Sequence, residues 1–254
     1  MLVSFHMGRR AFGGKRRGVK LAPNRPSAQG LPKGDNRMTG DARIFRWTVF
    51  LLAAGYCLRT LMFSSFEHFG GPFRYLTIWA LFMSFFAASR MMALTEGRST
   101  RRWDGFVGAT AVINAMVVFL YWRLFFADPT SVSRDGELGP LYLELYLHAL
   151  GPLLQWIDAI FIHRSFRRLG PSLAWLFGVI GAYVAWCELV LMPVNDTPVG
   201  TVTTGLPYPF LNNLEWAGRS VFYGSNFAIA IALLFVFAAV AWVIRRLIRA
   251  PATP

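Results

Sequence analysis

Charge is scarce in this 254-residue sequence, at 15% of residues, and cysteine occurs only twice. Soluble domains carry about 25% charged residues, so a water-exposed surface of ordinary composition is excluded. Cys57 and Cys187 both fall inside apolar runs. Each reads as a small buried hydrophobe rather than half of a disulfide or a metal pair. Acidic residues are the scarcer sign, 13 against 26 Lys and Arg, which gives a formal net charge of +13. A balance of that sign suits nucleic acid, but no recognition helix, zinc finger or aromatic-laced basic groove is present. Nucleic acid is therefore not an expected partner. The HExxH, GxSxG and P-loop patterns are missing too, which removes the usual sequence grounds for a zinc protease, a serine hydrolase of the nucleophile-elbow type or a nucleotide hydrolase. Strand-like alternation is absent, which argues against a β-barrel. The first apolar run starts near residue 44 and has no small-residue cleavage site, so it is expected to stay in the mature protein.

What the sequence has instead is apolar length. Hydrophobic residues make up 55%, and mean hydropathy is +0.41. Continuous apolar runs fall at about 44–63, 75–94, 105–126, 141–161, 173–192 and 217–243. Each is close to the roughly 20 residues a helix needs to cross a bilayer. The expected fold is all-α, a polytopic bundle of six transmembrane helices over residues 43–249 with a flexible end at 250–254. Between the fifth and sixth runs, Pro and Gly forbid a long regular helix.

The basic residues mark orientation. Residues 1–43 hold ten Lys or Arg against two Asp. Further basic clusters follow the second, fourth and sixth runs, while the other connections are acidic or nearly neutral. Alternation of this kind puts both termini in the cytoplasm. Residues 1–42, rich in Gly, Pro and Ser, read as a disordered basic tail: a solvated segment, a headgroup-binding patch, or an extension upstream of a true start at Met38. Arg- and Ala-rich composition with short loops suggests a bacterial inner membrane, with a eukaryotic internal membrane as the alternative.

The fourth run carries Glu144, His148, Gln155 and Asp158, spaced to share one side of an α-helix. Ionisable groups at membrane depth usually face a bundle interior or a cavity. His148 lies roughly 10 Å below the outer end of its helix at 1.5 Å per residue, and Asp158 roughly 15 Å further. Thr77 opens the second run, with Ser84 on the same side, and Glu188 sits a turn inside the end of the fifth. Thr77, Glu144, His148 and Glu188 thus share the outer half of the bundle. A threonine hydroxyl is a weak nucleophile that needs an adjacent base, itself oriented by a third group. The plain alternatives are a helix-start role for Thr77 and an interhelical hydrogen bond for His148. Asn114, Gln155 and Asn226 suit interhelical bonds.

Three separated segments give this chain a family resemblance. They are Gly71-Pro72-Phe73-Arg74-Tyr75-Leu76-Thr77-Ile78-Trp79, then His148 with Asp158 ten residues on, then Tyr208-Pro209-Phe210-Leu211 leading to Gly218-Arg219 and Phe222-Tyr223-Gly224-Ser225. With Trp186 they make residues 44–244 similar to the androgen-induced/FAR-17a membrane proteins, whose studied members are integral-membrane threonine hydrolases. The resemblance implies Thr77 as nucleophile and His148 as base, acting on esters of fatty acids with hydroxy fatty acids. The chain departs from the family pattern at Leu145-Tyr146-Leu147, where Asn-His-Gly is expected, and in its basic tail. On this reading Glu144 and Glu188 are candidates to orient His148 or tune its pKa. Tyr208, Asn212, Asn213 and Ser84 are candidate oxyanion or substrate contacts. No metal or organic cofactor is required, and the partners are a lipid substrate and the membrane lipids. The rival readings are a proton-coupled or small-ligand transporter, which a continuous polar path from Glu144 to Asp158 would favour, and a non-catalytic lipid-binding scaffold.

Overall fold

The computed structural model describes residues 36–132, 139–195 and 205–249. The basic tail up to residue 35, the connection 196–204 and residues 250–254 lie outside them. Six helices are long and apolar enough to cross a membrane. They are α1 (Asn36–Phe63), α2 (Leu76–Thr95), α3 (Asp104–Ala127), α4 (Leu141–Ile162), α5 (Leu169–Val194) and α6 (Trp216–Arg249). No strand occurs among the described residues. The chain is an all-α, multi-pass integral membrane protein.

The helices start and end close to the apolar runs, with three extensions. α1 reaches back through polar residues to Asn36, and α6 runs on through its arginines to Arg249. α5 begins at Leu169 because Pro171 sits in its first turn, where the missing N–H costs nothing. In the connection before α6, Pro209–Asn212 form one short helical turn.

α3 is the central helix and packs on α2, α4, α5 and α6. Its middle is built of small and branched residues: Ala109, Ala111, Val112 and Ile113 are fully buried. Small side chains let backbones approach, which is how helices associate where lipid offers no hydrophobic drive. At Gly105 a Cβ would lie 2.6 Å from Pro171 of α5, so only glycine fits that crossing. α1 and α6 lie at the periphery, where Leu51, Leu58, Phe235 and Val236 stay exposed and supply the apolar belt for lipid.

Among the described residues two ion pairs are buried in the bundle, Arg46 with Asp158 and Arg219 with Glu188. At the end of α4 nearer the start of α1, Arg46 donates from Nε to both carboxylate oxygens of Asp158 at 3.2 and 3.1 Å, and from Nη2 at 2.7 Å. Arg46 also reaches Thr95 and the Met91 carbonyl. Nearby, Arg102 donates to the His163 carbonyl at 2.7 Å.

The imidazole of His163 is buried beside Asp104, Arg102, Asp158 and Arg46. Burial holds its pKa below the usual histidine value and Arg102 pushes the same way, together outweighing the opposite pull of the Asp104 carboxylate 2.7 Å from Nε2. The folded protein keeps His163 neutral while the unfolded chain protonates it near pH 6.5. Its stabilising effect is complete above that pH and is lost as pH falls towards the lower folded value. The thermal midpoint of the detergent-solubilised protein is therefore expected to drop between pH 7 and 5. That drop is expected to be shallower in His163→Gln; equal slopes would remove His163 as the source.

Candidate active site

The turn that delivers Thr77 comes directly from its sequence. Gly70 and Gly71 adopt φ of 86° and 46°, values that side-chain-bearing residues rarely hold. The chain then makes one 3-10 turn, Gly71–Arg74, passes through extended Tyr75 and starts α2 at Leu76. This tight entry leaves the Phe73 and Arg74 carbonyls outside the helix ladder. Phe73 accepts from Trp79 Nε1 at 2.9 Å and Trp186 Nε1 at 3.2 Å, and Arg74 accepts from the Tyr183 hydroxyl at 2.9 Å. Side chains of α2 and α5 thus clamp the segment just ahead of Thr77.

His148 is placed by a deformation of α4. The helix widens to π geometry over Tyr146–Leu150, returns to α over Gly151–Ile157 and widens again over Asp158–Ile162. Pro152 has no N–H for the His148 carbonyl four residues back. Trp122 of α3 supplies the missing donor, its Nε1 lying 3.0 Å from that oxygen. π-turns of this kind often mark functional sites. The imidazole is buried and stacks on the Tyr121 ring, with centroids 3.5 Å apart and planes within 5°.

Across the helix interface, Thr77 Oγ1 lies 3.5 Å from His148 Nε2. On the other side of the ring, Glu144 Oε2 lies 2.9 Å from Nδ1. A carboxylate only accepts, so Nδ1 carries the proton and Nε2 presents its lone pair to Thr77. Tyr121 lies beside Glu144 as well as against the imidazole. Hydroxyl, imidazole and carboxylate therefore form a relay.

The relay opens on a cavity of about 1030 Å³. Thr77, Glu144 and His148 line it, together with Arg74 and Tyr208, and its remaining wall is mostly aliphatic and aromatic. Tyr208 lies beside Leu76 and Tyr183, and burial pushes its phenol up to about 12. It stays a neutral phenol over the whole working range. Tyr75, the N-cap residue of α2, makes no side-chain cap, and the first turn of the helix forms part of the cavity wall.

The chain belongs to the FAR-17a/AIG1-like protein family. That family matches residues 43–241, which takes in the greater part of every span and stops short of the basic tail. No curated protein and no solved structure matches the chain.

The other sequence candidates fall elsewhere. Glu188 does not face His148: it accepts from Arg219 at 3.0 and 3.2 Å and from the Tyr223 hydroxyl at 2.7 Å, tying α5 to α6. Ser84 donates to the Ala80 carbonyl and accepts from Asn114 Nδ2 at 2.9 Å, at the crossing of α2 and α3. Asn212 is buried and braces the backbone at Leu206 and Tyr208, while Asn213 is exposed and outside the cavity wall. The polar stripe of α4 is divided into three separate sites. His148 faces Thr77, Gln155 donates to the Ser84 carbonyl at 3.1 Å, and Asp158 is held by Arg46. Tyr121, Trp122 and Arg74 complete the site, and nothing in the sequence alone gives them a role there. The proline four residues after a histidine was the available signal for Trp122. Among the described residues no cluster of His, Cys, Asp or Glu is placed to hold a metal.

Proposed function

We propose that the protein hydrolyses carboxylic esters of lipids, of the type in which a fatty acid is esterified to a hydroxy fatty acid, with Thr77 as nucleophile. The observation that carries this reading is the Thr77–His148–Glu144 relay on the wall of an apolar cavity. His148 Nε2 takes the Thr77 proton as Oγ1 attacks the ester carbonyl carbon. The tetrahedral oxyanion collapses, the C–O bond of the leaving alcohol breaks, and His148 returns the proton to that oxygen. Water then attacks the acyl-threonine, losing a proton to His148. The acid departs, and Thr77 recovers the proton. Glu144 steadies the imidazolium that forms in each half. The hydroxyl-imidazole separation of 3.5 Å is long for a hydrogen bond, and such contacts tighten when substrate binds. The start of α2 offers the positive end of a helix dipole to the oxyanion. A hydrocarbon-lined space suits acyl chains through apolar burial. The transporter reading draws no support from the stripe on α4, whose polar groups fall into three separate hydrogen-bonded sites rather than one continuous path.

The test is release of fatty acid from a panel of lipid esters by purified protein in detergent, followed by mass spectrometry. Wild type is expected to hydrolyse at least one branched fatty acid ester. Glu144→Gln is expected to lower kcat by about 100-fold or more, because an amide donor at Nδ1 moves the proton to Nε2 and disables the base. No hydrolysis across the panel, or equal rates in the two proteins, would sink the proposal.

A further inference from the structure

Among the described residues three arginines are buried: Arg46, Arg74 and Arg219, at 6%, 3% and 7% exposure. Two of them are neutralised in the same manner. Arg46 holds Asp158, and Arg219 holds Glu188, each through the edge of the guanidinium formed by Nε and Nη2. A fixed planar edge of this kind matches the two oxygens of a carboxylate. Arg74 is the most buried of the three and differs. Its Nη2 donates to the Gly205 carbonyl at 2.9 Å, its Nε has no hydrogen-bond partner, and no carboxylate pairs with it among the described residues. Arginine does not shed its proton in proteins. A buried cation without a counter-ion is costly, and a protein keeps one where something else supplies the charge.

Arg74 lines the same cavity as Thr77, three residues before it, and leads into the helix whose first turn holds Thr77. The carbonyls of Phe73 and Arg74 are clamped by Trp79, Trp186 and Tyr183, so the guanidinium sits on a braced backbone. Nη2 has a second N–H beside Nε–H, and the pair forms the edge that the other two arginines present to their carboxylates.

We propose that Arg74 anchors the anionic head of the ligand, and that this head is a carboxylate on a lipid whose chain runs on through the apolar cavity. This deepens the ester-hydrolase reading and rests on it in part. With the carboxylate fixed at Arg74, the ester presented to Thr77 is one partway along the lipid. Arg74 would then select acids over neutral esters of the same length. The same oxyanion chemistry is offered by the phosphate of a phospholipid, and the experiment separates the two.

The experiment measures binding, so it stands apart from turnover. Thr77→Ala protein in detergent is titrated with the fluorescent fatty acid cis-parinaric acid and with its methyl ester. The acid is expected to bind about tenfold more tightly or better, the worth of hydrogen bonds to a charged group. Adding Arg74→Gln is expected to bring the two affinities within about threefold of each other, while Arg74→Lys retains part of the preference because it keeps the charge. Oleate should displace the probe, and phosphatidic acid should do so poorly. In Thr77→Ala itself the preference should vanish as pH falls through the titration of the probe's carboxyl group, a readout that needs no change at Arg74. Equal affinity for acid and ester overturns the proposal, as does a preference that survives Arg74→Gln in folded protein. Displacement by phosphatidic acid but not oleate overturns the carboxylate assignment. Lack of hydrolysis in wild type, with the acid preference intact, overturns the enzyme reading alone.

Discussion

Thr77→Ala and His148→Ala are each expected to lower kcat on a lipid ester by about a thousandfold or more, with KM little changed. In the proposed mechanism Thr77 Oγ1 forms the acyl bond, and His148 Nε2, 3.5 Å away, takes its proton. Neither side chain supplies much ground-state contact beside an apolar cavity of about 1030 Å³, so the loss falls on the chemical step. Because the two act as a unit, the double variant should be scarcely worse than either single one. Thr77→Ser keeps the hydroxyl and is expected to retain part of the activity. The structural alternatives predict otherwise. Were Thr77 only a helix-start residue, its alanine variant would change stability by a fraction of a kcal/mol or about 1 kcal/mol and leave turnover alone. Full activity in folded Thr77→Ala or His148→Ala would remove the site.

The largest stability effect is expected at the other end of α4. Asp158→Ala leaves Arg46 buried with its charge uncompensated. The two side chains are only 7% and 6% exposed, so water does not screen the loss. Removing one partner of such a pair costs about 3–5 kcal/mol, a large share of the stability of an ordinary domain. The expected observation is a sharp fall in thermal midpoint in detergent, or aggregation on size exclusion. Arg46→Met together with Asp158→Leu should recover most of the loss, since an apolar pair of similar volume is often as stable as the ion pair. Turnover per folded molecule should match wild type in the double variant, because this pair is remote from the cavity. A single Asp158→Ala variant as stable as wild type would show that Arg46 finds another counter-charge. Reduced turnover in a stable double variant would tie Asp158 to the chemistry.

How far each residue could be read ahead depends on how local its determinants are. The runs of apolar residues had to become six membrane helices, since backbone groups in hydrocarbon must bond within their own segment, and neither distant contacts nor packing enters that argument. The turn before Thr77 was equally local, written in Gly70, Gly71 and Pro72. The tertiary structure decided the partners. Glu144, His148 and Asp158 share a helix in the sequence, yet Asp158 belongs to Arg46 and Glu144 to His148. Glu188, placed by sequence at the depth of His148, is taken by Arg219 and Tyr223 instead. Two π-turns in α4 change which way its side chains point relative to a regular α-helix, and those turns depend on donors such as Trp122 arriving from another helix. Burial of Arg74 with no carboxylate partner among the described residues was likewise invisible in a segment that reads as a loop. Hydropathy is summed along the chain and survives without coordinates. Charge pairing and the approach of Thr77 to His148 are set by the crossing of helices 71 residues apart in sequence, which only the packed bundle fixes.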